Sequence, residues 1–158
     1  MIYIQLIGLL AFFMLVLSYY KTKTITILLY QATANFTYFI HYFLLGGISG
    51  GFVSLISVIR NIVLIKFKNK ITAIMFILLY LIITIIFYEG IYSLIPMIAG
   101  SVYIICILYN TKKHLLIGEI VGATLWVLYS IFVLSYSGIV TNLILIVSNS
   151  IQLIKLKR

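Results

Sequence analysis

The sequence predicts an all-α integral membrane protein: seven transmembrane helices in a 3+1+3 arrangement, two parallel three-helix repeats around a linker helix. Three observations predict it. Of 158 residues, 65% are hydrophobic and only 8% charged, with a mean hydropathy of +1.28; a soluble domain needs about a quarter of its residues charged. Apolar stretches of spanning length, roughly 17–25 residues, fill nearly the whole chain. The basic residues gather in every second break between them.

The first stretch, 2–19, lacks a basic leader and an A-x-A cleavage site, so it reads as a retained helix rather than a signal peptide. After KTK, the second (25–45) carries Gln31, Asn35, Tyr38 and Tyr42 as a narrow polar stripe. GGISGG leads into the third (48–67), where Ser54, Ser57, Arg60 and Asn61 share an arc of about 120°. The fourth (71–88, following KNK) is apolar on every face, as a lipid-facing spacer would be. The fifth (91–109), beyond YEG, holds Pro96 and the lone Cys106, which can form no intramolecular disulfide and no thiolate metal cage. NTKKH precedes the sixth (114–135), with Glu119, Trp126 and Ser130 as its stripe; SYSG precedes the seventh (138–155), with Thr141, Asn142, Ser148, Asn149 and Gln152. Tyr20, Tyr88, Tyr109 and Tyr136 stand at stretch ends, where interfacial aromatics anchor. Gly46/Gly50, Gly47/Gly51 and Gly118/Gly122 have the spacing of close helix packing.

Charge sets the expected orientation. Lys21, Lys23, Lys66, Lys68, Lys70, Lys112, Lys113, Lys155, Lys157 and Arg158 fall on one side; the other side carries only Glu89. Basic loops stay cytoplasmic, which puts the N-terminus outside and the C-terminus inside. Arg60 alone is left within a stretch, six residues short of Lys66, or about 9 Å of helix. Glu119 lies at a similar depth, five residues beyond His114.

The polar residues suggest the repeat. YFIHYF (38–43) aligns with WVLYSI (126–131) at an offset of 88, setting Gln31 opposite Glu119 and His41 opposite Tyr129. The third and seventh stretches align at 92, setting Ser57 opposite Asn149 and Arg60 opposite Gln152. The expected division is a first repeat over 1–68, a linker helix over 69–89 and a second repeat over 90–158. Single polar residues in a membrane helix serve as hydrogen-bonding glue; stripes paired between parallel repeats describe a solute path near the midplane.

QLIGLLAF (5–12), HYFLLGG with Arg60 nineteen residues after His41, LIPMIAGS (94–101) and the Trp126–Tyr129–Asn149 spacing resemble the YgjV-type bacterial inner-membrane proteins. That family is in turn distantly similar to the SWEET and PQ-loop transporters. The resemblance implies an inner-membrane location, a 3+1+3 arrangement and an external N-terminus. It also implies a pocket asparagine at Asn149 and a flexing proline at Pro96. The chain departs from that pattern where Ser57 and Gln5 occupy the matching first-repeat places.

Two acids and two histidines furnish no paired carboxylate, triad or metal cage, so the expectation is no enzyme and no cofactor. Scattered lysines without a nucleic-acid motif argue against nucleic acid despite the +9 net charge. His41 reads as a packed hydrogen-bonder. The expected function is a facilitator or transporter of a small polar solute. Asn35, Ser57, Trp126 and Asn149 are its solute contacts, and Arg60 with Glu119 is a gate at the inner end. The alternative is a non-transporting receptor or assembly factor on the same scaffold. The expected partners are the bilayer and the solute, with a second copy of the chain left open.

Overall fold

The computed structural model describes residues 2–19, 24–109 and 111–156. Tyr20, Lys21, Lys23, Lys157 and Arg158, which enter the anchor and charge arguments, lie outside the described residues. Seven helices follow in order: α1 (Ile2–Tyr19), α2 (Thr24–Leu44), α3 (Ile48–Val63), α4 (Lys70–Ile86), α5 (Leu94–Leu108), α6 (Lys112–Phe132) and α7 (Tyr136–Lys155). A 3-10 turn, Ile91–Ser93, leads into α5. Ile91–Leu108, α6 and α7 are long and apolar enough to cross a membrane by length and composition; α1, α3 and α4 are shorter apolar helices. The third stretch in particular runs shorter than its sequence suggests. The 16 residues of α3 rise about 24 Å, and the chain leaves the helix through tight turns in which Lys66 N–H donates to Val63 O.

The polarity is inside out relative to a soluble domain. Large apolar side chains face outward, such as Ile71 at 80% and Ile85 at 66% exposed, while Gln31, His41, Ser54, Arg60, Asn61 and Asn149 are buried. Water would make such an apolar surface aggregate; hydrocarbon suits it, and polar groups withdrawn from hydrocarbon must then satisfy one another inside.

Neighbouring helices pack in two matching sets, α1–α2–α3 and α5–α6–α7, joined where α1 meets α7 and α3 meets α5. α4 packs on α5 and α3. It is therefore more than a spacer: one side faces outward, and the other buries Ala73, Phe76 and Tyr80.

Two of the three pairs of helix starts keep a single spacing; α1 and α5, starting at 2 and 94, do not. α2 and α6 begin at 24 and 112, α3 and α7 at 48 and 136, each 88 apart. The turns between them agree. Gly46 (φ 84) and Leu134 (φ 54) both adopt the left-handed conformation. Behind them, Gly47 N–H donates to Tyr42 O and Ser135 N–H to Ser130 O, each at 2.9 Å, the five-residue-back bond of a Schellman cap. The third and seventh stretches thus start 88 apart where the sequence alignment sets them at 92, while their ends, at 63 and 155, are 92 apart. A polar stripe looks much the same after a one-turn slide, whereas the cap marks where the next helix begins. Counted at 88 from the helix starts, Ser54 falls opposite Asn142, Asn61 opposite Asn149 and Ser57 opposite Leu145.

Candidate functional site

Inside the bundle lies a cavity of about 120 Å³ whose walls come from α1, α2, α3, α5, α6 and α7. Asn35, Ser57, Arg60, Glu119 and Trp126 all line it, so five of the six residues singled out from sequence meet in one place. Asn149 does not line it. It is 1% exposed, and its Nδ2 has no hydrogen-bond partner among the described residues, as is also true of Asn61 Nδ2. The α7 asparagine on the wall is Asn142, two turns before Asn149 on the same helix. Asn142 Nδ2 donates to Gly138 O at 2.8 Å.

One part of the wall is charged. Arg60 is only 5% exposed. Its Nη1 donates to the Tyr80 hydroxyl at 3.0 Å, and its Nε and Nη2 donate to Asn61 Oδ1 at 3.1 and 2.9 Å. The guanidinium also lies 4.7 Å from the Tyr103 ring centre, within cation–π range. Ser57 Oγ–H donates to Val53 O at 2.9 Å, so the Tyr80 hydroxyl, 2.9 Å from Ser57 Oγ, must give its own proton to Ser57 and offer Arg60 a lone pair. The chain of donation therefore runs one way, and its lone pair meets a cation. Gln31 and Glu119 lie within reach of the Tyr103 side chain, so one tyrosine carries Arg60 on its ring and has the carboxylate nearby.

The next part of the wall is aromatic. Trp126 stacks on Tyr42 with ring centres 5.3 Å apart and 19° between planes, and Tyr38 stacks on Tyr42 at 5.8 Å. Beyond these rings, at the end where α2 and α6 finish, side chains knit the two helix sets together. Tyr42 Oη and Ser130 Oγ are 3.1 Å apart, and Gly50 N–H donates to Tyr129 Oη at 3.0 Å. His41 Nδ1–H donates to Ile4 O at 2.8 Å, which leaves Nε2, 2.7 Å from Ser135 Oγ, as acceptor in the neutral ring. Gln5 Oε1 accepts from Ser137 N–H and Oγ–H, both at 3.1 Å. Gln5, the departure from the transporter pattern at a proline place, is thus a clamp between α1 and the start of α7.

Glu89, with no evident partner in sequence, caps α3 from a distance. Its two carboxylate oxygens accept Ile48 N–H at 3.0 Å and Ser49 N–H at 2.9 Å, at a helix end whose dipole favours negative charge.

Sequence reasoning passed over Tyr80 and Tyr103, which hold the charged part of the wall. The available signal was position: both stand mid-helix in otherwise apolar runs, whereas anchoring tyrosines stand at ends. A buried hydroxyl there needs a partner.

An apolar exterior around a hydrogen-bonded polar interior defines an α-helical membrane protein. The chain belongs to the Imp-YgjV family of bacterial inner membrane proteins, whose model matches residues 2–158. No curated protein and no solved structure matches it.

Proposed function

We propose that this inner membrane protein is a facilitator or transporter of a small polar solute rather than an enzyme, with its site in the cavity between two three-helix units. The observation that carries the reading is the wall itself: Asn35, Ser57, Arg60, Glu119 and Trp126, drawn from α2, α3 and α6, converge on one interior space. The 88-residue spacing shared by the starts of α2/α6 and α3/α7 supports two parallel repeats, 1–68 and 90–158, joined by the helix of 69–89. All seven helices span the bilayer in this reading, with the N-terminus outside and the lysine-bearing end cytoplasmic. The Tyr42–Ser130 and Tyr129–Gly50 contacts close the outer end, and Arg60 with Glu119 gates the inner one. A charge near the bilayer centre costs about 2.5–3.5 kcal/mol on insertion scales. Desolvation can cancel the attraction of a buried pair, so the pair's use is as a gate that opens by separation.

The rival is a receptor or assembly factor on the same scaffold, favoured by the tightness of the outer closure. Thermal-shift screening of the purified protein against sugars, nucleosides, vitamins and amino acids separates the two. A transporter yields a stabilising solute whose effect is lost in Asn35→Ala; a folded protein blank across the screen favours the rival. Arg60→Glu and Glu119→Arg test the gate: each alone should impair function, and the double swap should restore part of it. Absence of rescue would leave the pair as a packing feature.

A further inference from the structure

The charges on the wall narrow the solute. Arg60 and Glu119 are the only guanidinium and the only carboxyl group among the lining residues, so the wall carries one cationic and one anionic side chain. Resting on the transport reading above, we propose that the solute is a small zwitterion carrying a carboxylate and an ammonium group, as a small α-amino acid does. A solute with one net charge would pair with one wall group and leave the other uncompensated in a medium of low dielectric, where lone charges are expensive. A neutral polyol would offer either group hydrogen bonds but no opposite charge. A zwitterion exchanges one balanced pair for two.

The donors fit. A guanidinium has five N–H groups in a planar fork, and Tyr80 and Asn61 hold three of Arg60's in fixed directions. The other two serve an anion on the cavity side, either Glu119 or a solute carboxylate, in the bidentate geometry for which arginine is suited. Glu119 supplies acceptors for an ammonium. Tyr103, with its ring beneath Arg60 and Glu119 and Gln31 within its reach, stands between the two charges. The cavity's roughly 120 Å³ is well below the roughly 300–1,000 Å³ of sites for drug-sized ligands, which restricts the solute to a few heavy atoms. Binding and gating become one event, because the solute's own charges separate the pair.

The test is a titration of the purified protein at neutral pH with L-alanine, propionate, ethylamine and glycerol, read as thermal stabilisation and as heat of binding. L-Alanine should bind, with propionate and ethylamine each weaker by about tenfold or more. In Glu119→Gln the preference for L-alanine over propionate should disappear. If that variant fails to fold, the series on the native protein decides by itself. Binding of glycerol, or of L-alanine no better than its halves, overturns the zwitterion while the solute site stands. Silence from all four also overturns it, and thiol labelling of Ser54→Cys from one membrane face then shows whether the transport reading falls with it.

Discussion

Leu134 occupies a backbone conformation that glycine holds at the matching turn. Its φ of 54° brings Cβ close to the following carbonyl, a strain of about 1–2 kcal/mol for a residue with a side chain. Leu134→Gly should relieve it, offset partly by the greater freedom of glycine in the unfolded chain, for a net gain of roughly 0.5–1 kcal/mol. Gly46→Ala, at φ 84°, should lose a similar amount. Thermal unfolding in detergent, followed through Trp126, checks both; a destabilised Leu134→Gly would contradict the cap. Individual residues were unevenly legible in the sequence. Arg60 and Glu119 stood out because charge is rare in hydrocarbon. Asn142 lines the cavity and Asn149 does not, a difference that a stripe of polar residues does not show because it carries no mark of depth. Tyr80 was passed over because tyrosine is counted among the hydrophobic residues when a stretch is judged by composition.

Helix ends and crossings explain more than helix interiors. Glu89 caps α3 with both oxygens across a separation of 40 residues or more, so Glu89→Ala should cost about 1–2 kcal/mol and Glu89→Gln less. Equal stability of the two variants and the native protein would show the cap to be idle. Gly118 and Gly122 part company. A Cβ on Gly118 would meet Cys106 Cβ at 2.6 Å, whereas one on Gly122 meets nothing nearer than Ala99 O at 3.8 Å. Gly118→Ala should therefore lose about 1–3 kcal/mol through overpacking of α6 against α5, and Gly122→Ala should be tolerated; the same melting measurement reports the contrast. Seven helices were legible because apolar runs and lysine clusters delimit them. The inward side of α4 was not, because Phe76, Tyr80 and Ala73 look no different in sequence from the neighbours that face outward. Tertiary contact alone tells the two sides apart.

For the molecule as a whole, the account rests on orientation and on a solvent-accessible interior. With Cys106 replaced by serine, single cysteines at the exposed positions Tyr88 and Leu134 should react with an impermeant thiol reagent from outside cells. One at Asn69, exposed at the lysine-bearing end, should react only from within; reversed labelling would overturn the charge argument. Ser49 and Ser137, though in the same outer turns, are buried and make poor reporters. The most direct measurement concerns Ser54, which is buried near the middle of α3 and lines the cavity. Ser54→Cys in the Cys106→Ser background should be labelled by a small impermeant reagent in inside-out vesicles and spared in right-side-out ones, because the tyrosine closure seals the outer end. Labelling from neither side, in protein shown to be folded, would mean that water does not reach the cavity and would contradict a solute path.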